Sequence, residues 1–219
     1  MSQQTEALPM DPVDASRMTL MEHLIELRTR LIWISGSIIL GTLIGLFFYD
    51  PILRFITATA RSYNLELQNI RPTDSISIIF KVGFTVGTSL AMPMIVFQIL
   101  AFMAPGLYPN EKRYIYISLP AIFALFLIGI TFAYTVLLPV AVGFLGNLLT
   151  GIVRQDWTAQ DYISFVTRLV FWIGVTFEMP LIFGVLSRLG IVSAQMLVKY
   201  WRHAIVVISI IAAIITPTV

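Results

Sequence analysis

Apolar residues run through this chain in blocks too long and too even to be one face of a soluble helix. Five blocks stand out, at about 31–48, 76–103, 114–142, 162–189 and 203–215. A helix crossing the roughly 30 Å hydrocarbon core of a bilayer needs about 17–25 residues. The first four blocks reach that length; the fifth is shorter, and the sequence stops at Val219. Periodicity inside the blocks is weak, as expected where lipid-facing and protein-facing sides are both apolar. An open strand cannot satisfy its backbone in lipid, so the blocks are predicted to be helices. The pattern predicts an all-α polytopic membrane protein with five apparent transmembrane helices.

Composition agrees with this reading. Of 219 residues, 58% are hydrophobic and 12% charged, against about 25% charged in a soluble domain. The net charge is only +2, and without a clustered basic stripe nucleic-acid binding is excluded. There is no cysteine, which removes disulfides, thiolate metal sites and thiol nucleophiles. Residues 1–17 are polar and carry proline. They lack the apolar core of a cleavable leader and are expected to be a mobile cytoplasmic tail, with 18–219 as the membrane domain.

Lys and Arg set the orientation. Arg17, Arg28, Arg30, Lys112, Arg113, Arg188, Lys199 and Arg202 cluster before the first block and in alternate connections. The opposite connections hold Arg54, Arg61, Arg71 and Arg154. The richer side is cytoplasmic, so the amino terminus is expected inside. Lys81 and Arg168 fall one or two turns inside the outer ends of their spans, where long side chains can snorkel outward. Pro93, Pro120, Pro139 and Pro180 interrupt the middle blocks. Interior proline kinks a helix, and long kinked helices can enclose a concave wall. Two GxxxG spacings, Gly41 to Gly45 and Gly83 to Gly87, suit either close helix packing or a dimer face.

Polar residues near or inside the apolar blocks carry the candidate chemistry. Thr19 with Glu22 three positions on forms a capping box, so a helix is expected to start there and run along the membrane surface into the first span. Leu20, Leu24, Leu27 and Leu31 form one stripe of it, and His23, Glu26 and Arg30 lie on another face. Glu26 reads either as an i,i+4 partner of Arg30 or as an acidic contact for a basic ligand. Between the second and third blocks, Pro105-Gly106 and Pro109-Asn110 break the chain, and Glu111 falls near a helix start where a carboxylate suits the dipole. Glu111, Lys112 and Arg113 read either as cap and headgroup anchors or as a ligand site. Glu178 sits within an apolar run, where a carboxylate costs about 2.5–3.5 kcal/mol on insertion scales. A chain keeping it there is expected to use it or to cover it with a partner. No HExxH, GxSxG or P-loop motif is present, so no enzyme activity, metal or cofactor is expected. A proton-coupled small-solute transporter, with Glu178 as the carrier, is the alternative reading.

Several segments, taken in order, resemble one family. They are His23 to Arg28 (HLIELR), Phe102 to Tyr108 with Glu111, Phe132-Ala-Tyr134 with Leu138-Pro139, Phe177-Glu178-Met-Pro180, and Thr216-Pro217. Together they are similar to the TatC family, the receptor subunit of the twin-arginine protein translocase, over nearly the whole chain. The resemblance implies six spans in a concave wall with both termini cytoplasmic, the sixth span being missing from this sequence. It implies binding of twin-arginine signal peptides of folded precursors, assembly with single-span TatA- and TatB-type subunits, and transport driven by the proton-motive force across the bacterial cytoplasmic membrane or its thylakoid equivalent. It implies signal-peptide binding by Glu26, Glu111 and Phe102, with Arg28 and Lys112 in the same motifs, and a partner contact at Glu178. The sequence departs from the family at Lys112, where an arginine often follows the loop glutamate; an ammonium lacks the planar fork of a guanidinium.

Overall fold

Inside an apolar stretch the backbone has only its own groups to bond, and the helix satisfies them locally. The computed structural model describes residues 20–103, 109–148 and 157–215. Eight α-helices follow in order: α1 Leu20–Phe47, α2 Tyr49–Ile56, α3 Ala58–Ser62, α4 Asp74–Phe102, α5 Pro109–Phe132, α6 Leu138–Asn147, α7 Ala159–Arg188 and α8 Ala194–Ile215. A π-helical turn, Ala133–Leu137, joins α5 to α6. No strand occurs among the described residues; an isolated parallel bridge pairs Gln68 with Thr158.

Among the described residues, four stretches are long and apolar enough to cross a membrane: Met21–Phe47, Asp74–Phe102, Tyr116–Asn147 and Ala159–Arg188. They contain the first four predicted blocks almost to their ends. The fifth block, 203–215, forms the second half of α8. The expected tail, 1–17, and Thr19 lie outside the described residues.

The first predicted span is longer than its apolar block. From Leu20 the segment is continuous with the first span; α1 is a single helix of 28 residues, about 42 Å at 1.5 Å per residue. Between α1 and α4, α2 and α3 occupy what the sequence pattern left as a connection. In α2, Ile52, Leu53 and Ile56 turn toward the core, while Arg54 bonds Asp50 on the exposed side at 2.9 Å.

Pro93, Pro120 and Pro180 sit within α4, α5 and α7 without ending them. Pro139 acts differently. It has no N–H, and its ring meets the carbonyl four residues back, so the α ladder cannot pass unchanged. The π turn directly before α6 is the local solution.

Packing follows the small residues. α1 lies on α4, α5 on α7, and α4 also touches both α5 and α7. A Cβ built on Gly41 would stand 2.4 Å from the Gly87 carbonyl oxygen, and one on Gly45 2.6 Å from that of Gly83. Both GxxxG spacings therefore serve one antiparallel contact within the chain, the packing alternative. Gly129 and Gly174 likewise let α5 and α7 close on each other. Two clusters of buried side chains result. One, with Ile56, Val82, Leu138, Tyr162 and Val166, lies at the α2 end of the bundle. The other, with Val96, Leu100, Ile122, Phe126 and Val185, lies toward the end where α1 begins. Outside the clusters large apolar side chains point away from the protein, Trp33, Leu43, Phe84, Phe123 and Phe144 among them, as a lipid-facing surface requires.

Candidate functional site

The beginning of α1, the end of α4 and the beginning of α5 share one end of the bundle, so Glu26, Phe102 and Glu111 come to the same end of the fold. The polar face of α1 turns inward there. Arg30 Nη2 donates to Glu26 Oε1 at 2.9 Å, and Arg30 Nη1 donates to the Gln98 Oε1 of α4 at 2.8 Å. A longer contact of 3.4 Å reaches the Ala101 carbonyl. The predicted Glu26–Arg30 pair is thus present, and it is tied to a second helix. The His23 ring stacks on Phe102 with centroids 4.4 Å apart, so an imidazole and a phenyl ring form a shelf beside the ion pair. Arg28, on the adjacent face, is exposed.

Burial runs opposite to a soluble amphipathic helix. Leu24, in the predicted apolar stripe, is 59% exposed, and Leu31 is exposed as well. Their surroundings are apolar, so nothing drives the leucines inward. The charged groups gain by finding one another, and they face α4.

Glu26 Oε2 is enclosed and has no hydrogen-bond partner. Gln98, 5% exposed, was not singled out by the sequence. Its signal was available: one amide inside Val96-Phe97-Gln98-Ile99-Leu100, where an uncompensated polar group is costly. Glu111 and Lys112 fall in the first turn of α5; their side chains lie outside the described residues.

Glu178 lies deeper, on α7, and is 0% exposed. Neither carboxyl oxygen has a hydrogen-bond partner. One turn earlier, Gly174 packs on Phe126 and Ile130 of α5, so this face of α7 is pressed against α5. The chain's own helices thus enclose Glu178.

At the other end of the bundle an apolar cavity of ≈ 240 Å³ lies among α2, α4, the α5 end and α7, with Ile56, Val86, Leu90, Tyr134 and Phe171 in its wall. Tyr134 closes one side, its hydroxyl donating to the Phe55 carbonyl at 2.7 Å. Lys81 donates to Ser164 Oγ of α7 at 2.6 Å. Arg168 is exposed. No cluster of metal-ligating side chains occurs among the described residues.

Comparison with known proteins adds a family description, "Sec-independent protein translocase protein (TatC)", that matches residues 22–219. The Sec-independent protein translocase protein TatC of Helicobacter pylori (strain ATCC 700392 / 26695) is 37% identical over 198 residues, covering 89% of this chain and 76% of that protein. The same-named protein of Deinococcus radiodurans is 38% identical over 225 aligned positions, covering 99% of this chain and 82% of that protein. A crystal structure of the twin arginine translocase receptor TatC superposes with a TM-score of 0.80 at 36% identity, over 90% of this chain and 89% of that one.

Proposed function

Because the chain belongs to the TatC family, an integral membrane component of the Sec-independent protein translocase, we propose that it is the receptor subunit that binds twin-arginine signal peptides. The family is a translocase component and not an enzyme. In this reading the α1 amino terminus and the α4–α5 connection face the cytoplasm. The carrying observation is the gathering of Glu26, Arg30, Gln98 and the His23–Phe102 shelf at one end of the fold. Glu111 enters the same end at the first turn of α5. Arg28 follows Glu26 on α1, and Lys112 follows Glu111 in the first turn of α5.

Two neighbouring guanidinium groups need two anionic acceptors on one surface. Hydrogen bonds to charged groups contribute about 1.5–3 kcal/mol each, and the planar fork of arginine favours it over lysine at such sites. The apolar part of the leader then follows the exposed leucines of α1 into the membrane. Glu178 serves contact with a single-span partner of TatA or TatB type. Since the chain's own helices enclose it, that contact requires the α5–α7 seam to part. The proton-motive force drives the later transport of the folded cargo.

Photocrosslinkers placed at positions 26 and 111, offered a twin-arginine precursor and its Lys-Lys version, test the reading. Both positions are expected to label the Arg-Arg leader and to lose most labelling with Lys-Lys. Equal labelling of the two leaders, or none from either position, refutes it.

A further inference from the structure

Glu26 presents its two carboxylate oxygens unequally. Oε1 is bonded to Arg30 Nη2 at 2.9 Å, while Oε2 is enclosed and bonded to nothing. Arg30 does not depend on Glu26 alone. Its other arm reaches Gln98 Oε1 at 2.8 Å, and the Ala101 carbonyl gives it a third acceptor at 3.4 Å. Gln98 is itself buried on α4 and directs its amide nitrogen to Met94 Sδ at 3.8 Å, which leaves its oxygen for the guanidinium. The side chains of Arg30 and Glu26 are only 27% and 17% exposed, so the pair is held between two helices and is not a loose surface contact.

We propose that Arg30 is the positioning residue of the peptide site. It clamps one oxygen of Glu26 against α4 and so fixes the place of the unpaired oxygen, which a guanidinium meets once the groups enclosing it give way. The inference rests on the reading of Glu26 as a peptide contact and adds how that carboxylate is held. Its physical basis is the fork. One planar guanidinium spans a carboxylate on α1 and an amide on α4 at the same time, which an ammonium, a point donor on a flexible stem, cannot do with the same fixed geometry. An unpaired oxygen in an enclosed place is costly, and a donor from the ligand removes that cost. Oε1 already accepts from Arg30, so Oε2 is the oxygen with no donor of its own for the ligand to satisfy. Glu26 therefore offers one prong its principal acceptor, and a second acidic group holds the rest of the doubled arginine.

The test uses the whole chain, purified in detergent, with affinity for an Arg-Arg leader peptide and for its Lys-Lys version as readout. Arg30→Lys keeps the charge and loses the fork; Arg-Arg affinity is expected to fall about tenfold or more and the preference over Lys-Lys to shrink. Combined with Glu26→Gln, it is expected to add no further loss, since there is no longer a carboxylate to position. Gln98→Met, which removes only the second anchor, is expected to show a smaller loss with the same lack of additivity, and it tests the idea even if Arg30→Lys fails to fold. If Glu26→Gln weakens binding while Arg30→Lys or Gln98→Met does not, or if their losses multiply with that of Glu26→Gln, the positioning role is overturned and the receptor reading stands. If Glu26→Gln itself binds as wild type, the assignment of Glu26 falls, and this inference falls with it.

Discussion

Gly87→Ala tests the contact that holds α1 on α4, and through it the site end of both helices. A Cβ at Gly87 would meet the Thr42 nitrogen at 2.3 Å, the Thr42 Cα at 2.5 Å and the Gly41 carbonyl carbon at 2.6 Å. All three are backbone atoms, so no side chain can rotate away. Ordinary carbon contacts begin near 3.5 Å, so the helix axes must separate by about 1 Å. Overpacking of this kind costs about 1–3 kcal/mol, and the better helix propensity of alanine returns at most about 1 kcal/mol. The net expectation is a loss of about 1–2 kcal/mol. At about 2–4 °C per kcal/mol for a chain of this size, the melting temperature in detergent falls by about 2–8 °C, read from tryptophan fluorescence. Gly36 and Gly184 have no atom within 4 Å of an added Cβ, so alanine at either is expected to be neutral or slightly stabilising. Because Arg30 and Gln98 bridge the same two helices, Gly87→Ala should also weaken leader binding. A Gly87→Ala chain that melts with the wild type, or a Gly36→Ala chain that falls as far, refutes the reasoning.

Three further outcomes are expected. Glu111→Gln should weaken binding of a twin-arginine peptide more than Glu22→Gln, measured by crosslinking yield or direct titration; equal, negligible losses count against the acidic pocket. Glu178→Leu removes a buried carboxyl that no hydrogen bond satisfies, so stability in detergent should stay level or rise by up to about 1–3 kcal/mol while partner crosslinking and transport are lost. A drop in stability with transport intact contradicts that. Tyr162→Phe deletes a buried hydroxyl that donates to the Ile56 carbonyl at 3.1 Å, and is expected to cost about 1 kcal/mol of thermal stability without changing leader affinity; an unchanged melting curve would show the bond contributes nothing.

The family was legible from ordered motifs, and the class of fold from the apolar blocks alone. At membrane depth the backbone has no water to bond, so a block of sufficient length has one outcome, and every block falls in helix, though α1 and α8 begin well before theirs. The same energetics marked Glu178, and the four-residue spacing placed Glu26 and Arg30 on a common face of one helix. Short elements were not legible. α2 and α3 have eight and five residues, too few to be stable without the spans they lean on. The π turn before Pro139 was likewise hidden, because a proline predicts a disturbance and not its form.

What the chain alone determined, then, is which segments cross the bilayer and which polar groups accompany them, because those follow from a local cost paid residue by residue. Tertiary structure decided the pairings. Gly41 and Gly45 met Gly87 and Gly83, and not a second copy of the chain. The charged face of α1 turned toward Gln98 while its leucines faced outward, and α5 closed over the face of α7 that carries Glu178. In lipid an apolar side chain gains little by turning inward, so hydropathy leaves those choices open. Close backbone approach and the pairing of polar groups make them, and both exist only once the helices stand side by side.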